Sequence, residues 1–133
     1  MTPSRSDLTL LIRSMQPRLH DGVYVYSSVP AGADLAAIPV IAQVREDEGL
    51  SLIVSESDAV QAGLPVHFRA AWITLTVHSD LNAVGLTAAF ATVLANAGIS
   101  CNVVAGARHD HLFVPVERAA DAMAALRELA RRS

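Results

Sequence analysis

Two stretches of this chain place reactive side chains at spacings that chemistry could use. The first is His109-Asp110-His111. On a strand, residues two apart share a face, so both imidazoles would point the same way with a carboxylate between them. Such a pair is an incomplete zinc site, because zinc takes four ligands. With Cys101 it offers a thiol nucleophile and a base. Neither arrangement finds the rest of what it needs. Cys101, His67 and His78 stand at no metal-ligand spacing, and Cys101 alternates with Ser100 and Asn102, which turns it inward with Ile99 and Val103 as a small core residue. The plainer reading of 109–111 is the polar end of a β-hairpin, and the chain is expected to be metal-free.

The second stretch is His78-Ser79-Asp80-Leu81-Asn82-Ala83-Val84-Gly85, a polar loop that feeds a helix. The free N–H groups and the dipole at a helix start attract an anion such as an amino-acid carboxylate. Gly85 removes a side chain and opens the backbone to a ligand. Asp80 could then hold the ligand ammonium. Either Asp80 or Asn82 also suits the N-cap, which leaves only the other for a ligand. The run Glu46-Asp47-Glu48 reads as a solvated hairpin tip. There is no GxGxxG, Walker loop, GxSxG, CxxC or HExxH, and no cofactor is expected.

The totals set bounds on these readings. A chain of 133 residues is one compact domain or two small repeats, and it is long enough to bury a core without staples. The net charge of −3 and the lack of any basic cluster argue against a nucleic-acid partner. A lone cysteine rules out an intramolecular disulfide and fits a reducing compartment. The start, MTPSRSDLTLLIRS, lacks the apolar region of a secretion signal, so a cytoplasmic location is expected. The longest mostly apolar run, 83–97, is too short to cross a bilayer, and no membrane association is expected. A mean hydropathy of +0.37 is high for a small soluble chain and suggests that a second copy covers apolar surface.

Periodicity supplies the elements. Leu8, Leu11, Ile12, Met15 and Leu19 make a helical stripe over a helix at 7–16 that ends before Pro17. Strands come next at 23–28, 40–45 and 50–54, the last two joined by the acidic hairpin. A short helix at 55–62 stops at Gly63 and Pro65. Residues 66–77 form a long strand, 83–97 a helix stopped by Gly98, 99–105 and 111–116 two strands, and 117–131 a last helix. Leu86, Phe90, Val93, Leu94 and Ala97 make the core stripe of the 83–97 helix. Its other face, Ala88, Ala91 and Ala95, is small and uncharged, which suits either close approach of another helix or sheet or simply an Ala-rich composition.

The halves align weakly. The segment from Tyr24 to Val29 lies over Trp72 to Val77, which puts Tyr24 and Trp72 at matching core or interface positions, and Leu52 to Glu56 lies over Phe113 to Glu117. The first interval is shorter by about one helix. The first repeat is therefore expected to lack its crossover helix, and the N-terminal helix to cover the bare sheet.

The order β-α-β-β-α and the string AVGLTAAFATVLANAGISCNVV, with its Gly85 and its Gly98-Ile99 step, resemble the ACT-domain family of small-molecule regulatory modules. The likeness is strong over 68–130 and weaker over 1–67. It is nearest to the regulatory repeats of aspartokinases, and the stretch HDHLFVPVERA is similar to stand-alone two-repeat bacterial members with no assigned reaction. The resemblance implies an α+β fold of two tandem ferredoxin-like (βαββαβ, ACT-type) repeats with antiparallel sheets and helices on one face. The first repeat would be 1–66, reduced and with the N-terminal helix, and the second 67–133.

The resemblance also implies a non-catalytic module that binds an amino acid or related metabolite, pairs with itself and regulates a partner protein. Carried onto this sequence, the ligand-binding residues would be Ser79, Asp80, Asn82, Gly85 and Leu86 with Ser100 and Asn102, and His111 would line the pocket. Two alternatives stay open: a protein–protein module without a ligand, and a small enzyme using His109, Asp110 and His111.

Overall fold

The structure, a computed structural model, describes residues 5–76 and 84–133. In chain order the elements are α1 (Arg5–Ser14), β1 (Gln16–Leu19), β2 (Tyr24–Val29), β3 (Ala42–Glu46), β4 (Gly49–Ser55), α2 (Glu56–Ala62), β5 (Phe68–Thr76), α3 (Leu86–Asn96), β6 (Asn102–Ala105), β7 (Asp110–Pro115), a 3₁₀ turn (Val116–Arg118) and α4 (Ala119–Arg132). They fall into two compact units. One holds residues 21–71. The other joins the segment that ends at His20 to the segment that begins at Trp72.

The 21–71 unit has strand order β3-β4-β2-β5, and every neighbouring pair is antiparallel. Side chains alternate across a strand, so Val25, Leu52 and Val54 meet on one face and pack with Ala59 of α2. The Oγ of Ser55 caps α2 by accepting the Asp58 N–H at 3.2 Å. No helix connects β2 to β3. The connecting segment instead brings Leu35, Ile38 and Val40 onto the core.

The other unit has strand order β1-β5-β7-β6. The chain runs β5-α3-β6-β7-α4, and its fourth strand is β1, antiparallel to β5 with Gln16 opposite Thr76 and Leu19 opposite Ile73. Both units thus share the ferredoxin-like order. The buried side chains of this second unit include Ile73 and Leu75 of β5, Leu112 and Val114 of β7, Leu86, Phe90 and Leu94 of α3 and Met123, Leu126 and Leu129 of α4.

The N-terminal helix departs from expectation. It does not cover the reduced repeat. Helix α1 packs on α4 and α3, and Ile12 and Met15 are buried in this second unit. The bare face it was expected to cover is closed by Leu35, Ile38 and Val40. The helix also ends earlier than its stripe suggests. Pro17 cannot sit inside a helix but is tolerated on an edge strand, and Gln16–Leu19 is the edge strand β1. Leu19 therefore leaves the helical stripe and is largely exposed. Among the described residues no helix is long and apolar enough to cross a membrane.

Candidate functional site

Helix α3 opens on Gly85 with φ +105°, and the Ala89 N–H donates to the Gly85 carbonyl at 3.0 Å. Among the described residues no side chain caps this helix, and its first turn carries no acid. The first N–H groups of α3 therefore have no side-chain acceptor among the described residues. Ser79, Asp80 and Asn82, expected beside this helix start, lie outside the described residues.

Gly85 and Leu86, both expected at the ligand, stand against other side chains. Gly85 does not leave open space beside the helix start, because a Cβ there would lie 2.8 Å from Leu8 Cδ2. The absent side chain makes room for α1. Leu86 is 3% exposed and points into the core, so only its backbone faces the helix start. Ser100 and Asn102 are exposed ahead of and at the start of β6. In the β6–β7 register Asn102 stands opposite Phe113 and Val104 opposite His111, so Asn102 and His111 share a sheet face as diagonal neighbours.

The pair His109 and His111 does not share a strand face as its spacing suggests. Strand β7 begins at Asp110, and His109 lies in the β6–β7 turn, where its carbonyl accepts the Gly106 N–H at 2.9 Å. Among the described residues no group of three or more His, Cys, Asp and Glu side chains is placed to hold a metal. His111 is half-buried, and its Nδ1 is 3.1 Å from both Trp72 Nε1 and Thr74 Oγ1. Burial lowers its proton affinity, the nearby His109 lowers it further, and Asp110 opposes the change. Burial raises the Asp110 carboxyl against the pull of His111. Cys101 is half-buried, and burial pushes its thiol up to about 11, which leaves it almost wholly protonated near neutrality.

The structure adds His20 and Thr74 to this group. His20 Nε2 lies 2.7 Å from Thr74 Oγ1, and its ring stacks on Trp72 at 3.6 Å. The alternations Trp72–Thr74 and His111–Phe113 are visible in the sequence. The arrival of His20 is not, because it depends on β1 pairing with β5.

The fold is a tandem pair of small ferredoxin-like modules, and the comparisons agree. The ACT domain matches twice, over residues 3–71 and over 68–128. The chain belongs to the ACT-domain family, whose domains serve as regulatory ligand-binding modules. A Vibrio cholerae protein of unknown function, described as a possible transport protein, is 51% identical, with a TM-score of 0.85 over 94% of this chain and 97% of that one. The ligand-free regulatory subunit of aspartate kinase from Thermus thermophilus shares the fold at 13% identity, with a TM-score of 0.65 over 85% of this chain and 95% of that one. An Agrobacterium tumefaciens protein shares it at 18% identity and TM-score 0.69, over 87% and 89%. No curated protein matches the chain.

Proposed function

We propose that this chain is a non-catalytic cytoplasmic sensor that binds an amino acid or a related metabolite and passes its occupancy to a partner protein through a homo-oligomer. The observation that carries this reading is the start of α3, where no described side chain caps the helix and no acid sits in the first turn. A ligand carboxylate would take up the first N–H groups there. The loop with Ser79, Asp80 and Asn82 would face the ammonium, and the exposed Ser100 and Asn102 would supply polar contacts from the β6 side. In this reading the Nδ1 of His111 serves contacts within the fold, to Trp72 and Thr74. Affinity in a sensing role should be modest, about −4 to −8 kcal/mol.

A thermal-shift screen over the proteinogenic amino acids tests this. Ligand at 100 times its Kd adds about 2.7 kcal/mol by mass action, which should raise Tm on the order of 5–15 °C for a chain this size. Asn102→Ala should reduce that shift while leaving the unliganded Tm nearly unchanged, because Asn102 is exposed. No shift and no calorimetric binding with any amino acid, together with capture of a protein partner, would favour a ligand-free interaction module instead.

A further inference from the structure

Four side chains of one compact unit form a continuous hydrogen-bonded chain. His20 Nε2 lies 2.7 Å from Thr74 Oγ1, and Thr74 Oγ1 lies 3.1 Å from His111 Nδ1. Trp72 Nε1 donates to that same Nδ1 at 3.1 Å. The four come from three places in the fold. His20 comes just after β1 and its backbone N–H donates to the Trp72 carbonyl at 2.9 Å, Trp72 and Thr74 stand on β5, and His111 on β7. Leu112 and Val114 of β7 are buried in the core, so His111 is on the opposite sheet face.

One donor fixes the acceptor in this chain. An indole N–H can only donate, so the Nδ1 that faces it must be bare and the ring proton of His111 must sit on Nε2. With the Thr74 hydroxyl donating to Nδ1 and accepting from His20 Nε2–H, all three contacts are met at once. Gly106 leaves room for the ring, since a Cβ there would lie 3.2 Å from His111 Nε2 and 3.0 Å from the His109 carbonyl oxygen.

We infer that His111 is a proton-sensitive latch, which ties Trp72 of β5 to β7 only while its Nδ1 is unprotonated and releases Trp72 when it takes a proton. A proton on Nδ1 would set N–H against N–H across the Trp72 contact, whereas the Thr74 hydroxyl can turn and accept from it. Among the described residues the titratable groups near His111 include His109 and Asp110 beside it in the chain and His20 through Thr74. Arg18 of β1 stands in register with Thr74, and the β6 residue opposite His111 is the uncharged Val104. Burial and His109 together resist the proton, so the latch holds into mild acid. His20 responds differently. Its Nε2–H donates whether the ring is neutral or charged, and a charged imidazole stacked on the indole gains a cation–π contact. This inference does not rest on the ligand reading.

The test is a ¹⁵N NMR titration of the imidazoles and of the indole N–H of the full chain, whose one tryptophan makes that resonance unambiguous. The wild-type protein alone gives the main result. At pH 7.5 His111 should be neutral with its proton on Nε2, and the Trp72 indole resonance should shift with the protonation of His111 at a midpoint below the ordinary histidine value of about 6.5. His20→Gln should keep that step and His111→Gln should remove it. A His111 proton on Nδ1 at neutral pH, a midpoint at or above about 6.5, or an indole resonance indifferent to His111 would overturn the latch.

Discussion

The side chain of Leu8 on α1 occupies the space that a Cβ on Gly85 would need, its Cδ2 only 2.8 Å from that position. The start of α3 is thus braced by the N-terminal helix, and Gly85 is required twice over. Its φ of +105° is costly for any residue with a side chain, and its missing side chain seats Leu8.

A double-mutant cycle measures this brace. Gly85→Ala should cost roughly 1–3 kcal/mol from backbone strain and the clash, and Leu8→Ala should also destabilise by removing contacts at α1. The two changes should be non-additive by on the order of 0.5–1 kcal/mol, because the truncated Leu8 no longer opposes the new methyl. Urea unfolding of the four proteins gives the answer. Strict additivity would mean that α1 does not press on Gly85 in solution.

The second prediction separates the two possible homes of the N-terminal segment. Met15→Ala should cost about 2–5 kcal/mol, as a buried Met-to-Ala change does. Native-state hydrogen exchange should then speed up in Ile73–Thr76 and in α4, where β1 and α1 pack, more than in β2 and β4. Faster exchange confined to β2 and β4 would instead restore α1 to the reduced repeat.

How far the sequence reaches can be traced through such elements. The repeat order from β5 to α4 is legible because periods of 2 and 3.6 alternate cleanly there and glycines punctuate them. The missing crossover helix is legible from the short interval between Tyr24 and Glu56. The destination of α1 is not, because an amphipathic stripe tells that a face is buried and not against what. Strand β1 is hidden for a related reason. Its four residues, Gln16–Leu19, include a proline and show no alternation, and only pairing with β5 makes them a strand. At the candidate site, the exposure of Ser100 and Asn102 fits their polarity. The engagement of His111 by Trp72 and Thr74 needs tertiary register that no local pattern encodes.

The third prediction concerns assembly. Helix α3 carries no charged residue, and Ala88, Thr92 and Ala95 are exposed on it. A homo-oligomer that covers this face should be disrupted by Ala88→Arg or Ala95→Arg, since a buried unpaired charge costs several kcal/mol. Neither change touches the core stripe Leu86, Phe90 and Leu94. Light scattering at micromolar concentration should therefore show dissociation with an unchanged circular dichroism spectrum. Unaltered mass in both variants would move the interface elsewhere.

The last prediction is a pH dependence with opposing signs from adjacent residues. The proton affinity of His111 is lowered on folding, so the unfolded chain binds that proton more readily. Stability from His111 is fully present above its unfolded value of about 6.5 and is lost as pH falls towards its folded value. Asp110 is raised on folding, so the folded chain holds its proton more readily. It lowers stability at pH 7, and that loss is relieved as pH falls through its folded value towards about 3.9. Glu56, held below the usual carboxylate range by the Arg69 guanidinium, adds stability that disappears in stronger acid. Asp110→Asn should therefore raise Tm at pH 7 and show little gain near pH 4. His111→Gln should flatten the decline between about pH 6.5 and pH 5. Melting curves across pH 4–8 for the three proteins decide it. An Asp110→Asn protein less stable than wild type at pH 7 would show that the ionised carboxylate is held by a favourable contact that outweighs its burial.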